Sequence, residues 1–270
     1  MTKIGAHPTA GSVFDPACLA RTFVEVLAAS SEGPVALARR QAQRLARVVD
    51  SARAHSALYR ERLRSITPGV TPMTQWPVVG KSELMQRFDE WVTDPALQLD
   101  ALQAFVADPA QIAQAFAGHW QVWQSSGSSG TPALFVQDAR AMAVYDALET
   151  LRRPHSPRLL SWLDPLGLAE RPAFIGATGG HFASLVAAQR LQQLNPWLAG
   201  RLRCFSIQQR GAELLAQLQD FAPTVIATYP SMALWLAEEM AAGRLVVHPR
   251  EIWTGGETLS PVVRDRKSVV

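Results

Sequence analysis

The chain has 270 residues, of which 48% are hydrophobic and 18% charged, and its formal net charge is +3. This length admits one large or two ordinary domains, and the balance supplies a large core and excludes a disordered chain. The positive excess is mild and is carried by arginines spread along helices, which is no nucleic-acid signature, and no apolar run approaches a membrane span.

Cys18 and Cys204 lie far apart, with no C-x-x-C and no histidine cluster nearby, so neither a structural zinc site nor a disulfide framework is expected. The N-terminus lacks the basic head and apolar core of a signal peptide, and a cytoplasmic location is the default. Residues 1–13 read as frayed. Residues 14–29 and 35–63 read as helices. In the second, Leu45, Val48, Val49, Ala52 and Leu58 share one face, and arginines from Arg39 to Arg64 decorate the rest as a solvated surface. Four prolines and glycines make 67–79 a loop, and a short helix starts at Lys81. Residues 102–106 fit strand or helix equally. Strands are expected at 120–123 and 133–136, with a helix over 139–151. From there short apolar runs alternate with helical patterns: strands at 159–163, 172–175, 202–207, 224–227 and 251–253, helices at 181–194, 213–221 and 231–242. Strand–helix alternation predicts an α/β domain with a mostly parallel sheet flanked by helices. In such sheets ligands bind beyond the carboxyl ends of the strands. Three glycine-bearing turns are candidates for that edge, at 125–130, 176–180 and 255–256.

The first of these is the most informative stretch. Gln124-Ser125-Ser126-Gly127-Ser128-Ser129-Gly130-Thr131-Pro132 falls between two apolar segments. Glycine permits positive φ and close backbone approach, so such a turn can offer several N–H and hydroxyl donors to one phosphate. A flexible linker would not be flanked by strand-like segments. The lysine-bearing P-loop pattern fails, because Gly130 is followed by Thr131 and Pro132. A nucleophile elbow fails on spacing. A Rossmann oxidoreductase fails for want of G-x-G-x-x-G after a first strand. From the residues alone, an anion loop and an ordinary turn remain open.

Further segments extend the pattern in order: Ala54-His55-Ser56-Ala57-Leu58-Tyr59-Arg60-Glu61, Trp76-Pro77-Val78-Val79-Gly80-Lys81-Ser82-Glu83-Leu84, Thr228-Tyr229-Pro230-Ser231, and Trp253-Thr254-Gly255-Gly256-Glu257-Thr258-Leu259. Together with the Ser/Gly run they resemble the adenylate-forming (AMP-binding) enzymes, in particular the phenylacetate–coenzyme A ligase branch, over roughly residues 53–264. The resemblance implies a chemistry: a carboxylic acid and ATP give an acyl-AMP and pyrophosphate, and the acyl group passes to a thiol, usually that of coenzyme A. It also implies roles. Ser125, Ser126, Gly127, Ser128, Ser129, Gly130 and Thr131 would hold the ATP phosphates, with Mg²⁺ accompanying them. Gly255 and Gly256 would lie flat against adenine with Glu257 beside it. His181 and Phe182 would border the carboxylate, and Tyr229 would line the acyl pocket. The implied partner is a small-molecule carboxylic acid rather than nucleic acid or membrane, and a homodimer is compatible with the full-length form. No protein ligand for a metal is assigned.

The pattern departs from the family in two ways. No lysine stands beside Pro132, so the loop would rely on dipoles and Mg²⁺. The family's later segments, including a small C-terminal domain with a catalytic lysine, have no counterpart before Val270, so no catalytic residue is assigned. The expected division is 1–115 as helical lead-in and first part of the adenylating domain, and 116–264 as an incomplete α/β part. Residues 265–270, Asp-Arg-Lys-Ser-Val-Val, resemble a translated sequencing adaptor and are expected to be non-native. The reading is therefore an incomplete, inactive portion of an acid–thiol ligase, with a non-catalytic nucleotide-binding remnant as the alternative.

Overall fold

The computed structural model describes residues 13–125, 132–152, 170–261 and 264. Residues 126–131, the expected strand at 159–163 and the tail 265–270 lie outside the described residues, as do residues 1–12. The chain forms two compact units. One comprises Val13–Gln111 with Ala115–Arg153, and the other Pro154–Val270 with Ile112–Gln114 and the N-terminal residues.

The first unit begins with α1 (Pro16–Ser31), whose start is set locally: Asp15 accepts the Cys18 N–H at 2.9 Å, and Pro16 occupies the first turn, where its missing N–H costs nothing. The helical pattern at 35–63 is broken into α2 (Pro34–His55) and α3 (Ala57–Arg62). Ser56 makes the break. It is fully buried, its hydroxyl donates to the Glu90 carbonyl at 2.8 Å, and it caps α3 by accepting the Tyr59 N–H. The buried stripe of α2 runs through Leu45, Val49 and Ala52 onto Leu63 and Ile66, whereas Val48, expected on that stripe, is 64% exposed. One residue turns a helix by about 100°, so Val48 and Val49 cannot both face the core. The Arg53 guanidinium closes this corner by donating to the Leu63 and Ile66 carbonyls. Much of the arginine surface is paired with carboxylates: Arg40 with Glu32, Arg44 with Glu25, Arg62 with Glu83, and Arg87 with Glu61 and Glu90.

Next come α4 (Lys81–Gln86), α5 (Phe88–Trp91) and α6 (Leu99–Ala107), which resolves the 102–106 ambiguity in favour of helix. Strands β1 (Ala115–Phe116), β2 (Trp120–Gln124) and β3 (Leu134–Gln137) form an antiparallel meander. Val122 and Leu134 on one face pack with Met85, Phe88 and Leu102. Trp123 meets Tyr145 of α7 (Ala139–Arg152) edge to face at 5.8 Å, a packing role, and α1 packs along α7.

The second unit holds β4 (Pro172–Gly176), α8 (Ala183–Leu194), α9 (Pro196–Ala199), β5 (Arg203–Ser206), α10 (Gly211–Phe221), β6 (Val225–Thr228), α11 (Pro230–Ala241) and β7 (Glu251–Thr254). The strands form a parallel sheet in the order β5-β4-β6-β7. Alternate residues Ala173, Ile175, Phe205 and Ile226 face α10 and α11, whose Leu214, Leu218, Phe221 and Leu236 complete the core. From β4 the chain crosses through α8 to β5 on one side, then returns through α10 to β6 and onward through α11 to β7. Right-handed crossovers put helices reached by opposite senses of travel on opposite faces, so α8 covers the face turned away from α10 and α11. The predicted mostly parallel, helix-flanked α/β architecture is what this unit has.

Candidate functional site

The strand order reverses direction between β4 and β6. The chain leaves β4 toward one side of the sheet and leaves its neighbour β6 toward the other, which opens a crevice at their carboxyl ends. Two of the three glycine-bearing turns lie on this edge. The third, the Ser/Gly run, connects β2 and β3, an antiparallel hairpin of the other sheet. Nine residues separate Gln124 from Leu134, fewer than the dozen or so that a parallel crossover needs, which accounts for the antiparallel pairing.

At the end of β4, Gly176 is buried, and a Cβ there would lie 2.4 Å from the Phe174 ring, which folds over the strand end. The turn that follows carries His181, which is fully buried, and Phe182, whose N–H donates to the Gly180 carbonyl at 2.8 Å as the N-cap of α8. The helix expected from His181 therefore starts two residues later.

At the end of β6, buried Thr228 donates its hydroxyl to the Ile175 carbonyl at 2.8 Å, joining the two strands that flank the crevice. Tyr229 then caps α11 through its backbone, and Pro230 opens the helix. At the end of β7, the Gly255 N–H donates to the Thr228 carbonyl at 3.2 Å. Gly256 has φ +80°, and a Cβ on it would stand 3.0 Å from Tyr229 Cε1, so the tyrosine ring lies against the turn. Nothing lies within 4 Å of the corresponding position on Gly255. The Glu257 carboxylate accepts the Ser231 N–H and the Ser231 hydroxyl, both at 2.9 Å.

The fold thus gathers Tyr229, Gly255, Gly256 and Glu257 into one contact network, and the topology puts the turn bearing His181 and Phe182 on the same sheet edge. Of the proposed phosphate loop, Ser125 is described and Ser126, Gly127, Ser128, Ser129, Gly130 and Thr131 lie outside the described residues. Ser125 closes the hairpin: its N–H donates to the Ala133 carbonyl and its hydroxyl accepts the Ala133 N–H, each at 2.9 Å. Sequence reasoning quoted Thr228 and Ser231 within one segment without giving them a role, and it passed over Phe174. A polar residue at the end of an apolar strand and a serine directly after a helix-opening proline were the signals for the first two.

The turn at Gly255 is open and leaves its backbone exposed. Among the described residues, no cluster of histidine, cysteine, aspartate and glutamate could hold a metal ion. Burial pushes the Cys204 thiol on β5 up to about 11, which leaves it a poor nucleophile. A cavity of about 570 Å³ between the end of α11 and the start of β7, bordered by Leu245, Val247, Arg250 and Ile252, lies at the opposite edge of the sheet from the glycine turns. Among the described residues, no helix is long and apolar enough to cross a membrane.

The chain matches no family model and no curated protein. Among solved structures it is similar to a 2-hydroxyisobutyryl-CoA ligase in complex with 2-HIB-AMP and CoA in the thioesterification state, with 19% identity and a TM-score of 0.53 over 88% of this chain and 48% of that one. An open conformation of the same ligase, also with 2-HIB-AMP and CoA, aligns at 20% identity and a TM-score of 0.49 over 86% of this chain and 50% of that one. The chain spans about half the length of these ligases. Over that half it has the fold of part of an acyl-CoA ligase, a parallel sheet flanked by helices.

Proposed function

We propose that the chain carries the nucleotide- and acyl-facing part of an ATP-dependent carboxylate-activating ligase of the phenylacetate–coenzyme A ligase type. The observation that carries this reading is the meeting, at the carboxyl ends of β6 and β7, of Tyr229 with an exposed Gly255–Gly256 turn, beside the strand-order reversal where α/β sheets receive ligands. The order of the motifs along the sequence and the fold shared with a CoA ligase support it.

In this reading ATP, with Mg²⁺, supplies the activated phosphorus. A carboxylate oxygen of the substrate attacks it, pyrophosphate leaves, and the thiol of coenzyme A later displaces AMP. The residues of this chain bind and orient. Ser126, Gly127, Ser128, Ser129, Gly130 and Thr131 offer N–H and O–H groups to the phosphates, and Ser125, whose N–H is held by the Ala133 carbonyl, offers only its hydroxyl proton while anchoring the loop. The backbone of Gly255 and Gly256 receives adenine with Glu257 beside it. His181 and Phe182 border the substrate carboxylate, and Tyr229 lines the acyl pocket. Positioning of this kind lowers the barrier by aligning the reacting groups before reaction. The chain spans about half of the solved ligase, so the complete reaction belongs to the ligase as a whole, and the 270-residue polypeptide alone is expected not to turn over.

Two measurements on the purified chain test this. Titration with MgATP by calorimetry is expected to give saturable binding that AMP competes for, and absence of binding overturns the nucleotide reading. Carboxylate-dependent ATP–pyrophosphate exchange is expected to be absent, and robust exchange overturns the inactivity of the chain alone. Binding without exchange that persists when the remaining portion of a solved ligase is supplied in trans favours the non-catalytic nucleotide-binding alternative.

A further inference from the structure

We infer that Ser231 is a positioning residue of this site: by holding the Glu257 carboxylate it sets the backbone of the Gly255–Gly256 turn. The inference rests on the reading of that turn as the surface that receives adenine. Its physical basis begins with α11. The first N–H groups of a helix have no partner inside the helix. Tyr229, the N-cap, makes no side-chain cap, and Pro230 has no N–H to offer. Glu257, 26 residues further along, fills the gap by accepting both the Ser231 N–H and the Ser231 hydroxyl. A carboxylate is also favoured at this end of a helix by the axial dipole.

The two residues are exposed, so the contact is no part of the core. What it does is local. Gly255 is held to Thr228 from the strand side, and Glu257 is held to Ser231 from the helix side. Gly256 stands between these anchors at φ +80° with the Tyr229 ring against it. Fixing residues 255 and 257 leaves the intervening glycine one way to pass the ring. Base recognition then comes from the backbone, and the Glu257 charge is directed to the helix rather than to the nucleotide.

The test is a double-mutant cycle on the 270-residue chain, read by MgATP affinity and by the amide resonances of Gly255 and Gly256 in ¹⁵N-labelled protein. Ser231→Ala removes one hydrogen bond and is expected to weaken MgATP binding about fivefold and to move both glycine amides. Ser231→Thr, which keeps the hydroxyl, is expected to restore both. In a Glu257→Ala background, Ser231→Ala is expected to have no further effect. Two results overturn the inference: glycine amides and affinity unchanged in Ser231→Ala, or an equal loss from Ser231→Ala with and without Glu257, which would mean that the serine touches the nucleotide directly. Should the unsubstituted chain bind no MgATP, the functional reading fails, and the glycine amides alone still decide whether the serine sets the turn.

Discussion

Ser125 and Ala133 hold each other across the base of the β2–β3 hairpin, the serine N–H on the alanine carbonyl and the alanine N–H on the serine hydroxyl, each at 2.9 Å. The first serine of the Ser/Gly run is therefore structural, because it fixes where the loop leaves the sheet. Ser125→Ala leaves the Ala133 N–H without its acceptor. The expected cost is about 1 kcal/mol in denaturant unfolding. If the loop binds phosphate, MgATP affinity falls as well, because the span above the base is no longer anchored. Unchanged stability would remove the clamp.

Gly255 and Gly256 form an internal control for the turn. Gly255→Ala meets open space and is expected to leave the unfolding midpoint unchanged while weakening MgATP binding, since the added methyl stands where the base would lie flat. Gly256→Ala forces a side chain at φ +80° against Tyr229 and is expected to cost about 1–3 kcal/mol. Equal stability effects at the two positions would contradict the geometry.

Gly176→Ala places a methyl into the Phe174 ring, an overlap that only a moved ring relieves. The expected destabilisation is about 1–3 kcal/mol. Phe174→Leu combined with Gly176→Ala is expected to recover part of it in the same urea titration. No recovery would mean that the backbone, and not the ring, resists the substitution.

The Arg244 guanidinium, bonded to Glu239 at 2.5 and 2.9 Å, holds the glutamate carboxyl below the usual carboxylate range. A depressed carboxyl contributes stability that is full above the ordinary carboxylate range and is lost as pH falls through the depressed value. Arg244→Gln is therefore expected to lower the melting temperature at neutral pH and to lose that difference in acid. A gap between the two proteins that persists below pH about 3 would assign the effect to packing.

Most of the second unit is legible in the sequence, because short apolar strands and longer amphipathic helices alternate with glycine and proline between them. Apart from the short helix α9, which is not among the expected elements, the boundary of each described strand and helix there falls within a few residues of its expected place. What escapes is set by partners far along the chain. Ser56 continues a helical pattern on paper and breaks it in space, because its hydroxyl reaches the Glu90 carbonyl 34 residues away. The 102–106 stretch carries no local cue to choose helix over strand. At the site, the glycines show themselves by type and place after a strand, and Tyr229 through the resemblance to a family motif, but the role of Ser231 exists only once Glu257 has been folded onto it. The Ser/Gly run stood out by composition, yet composition could not say that its flanking strands pair antiparallel in a separate sheet.

The order β5-β4-β6-β7 also sets a schedule for assembly. β4 is made first and meets β5 after one helical crossover. Its other edge must wait for β6, and the Thr228–Ile175 bond across that edge joins residues 53 apart. Pairing over such separations is slow, because the loop must close before the contacts form. During that wait the half of the sheet that will border the crevice stands with an unpaired edge. A chain still emerging from the ribosome is open to wrong strand partners at this point.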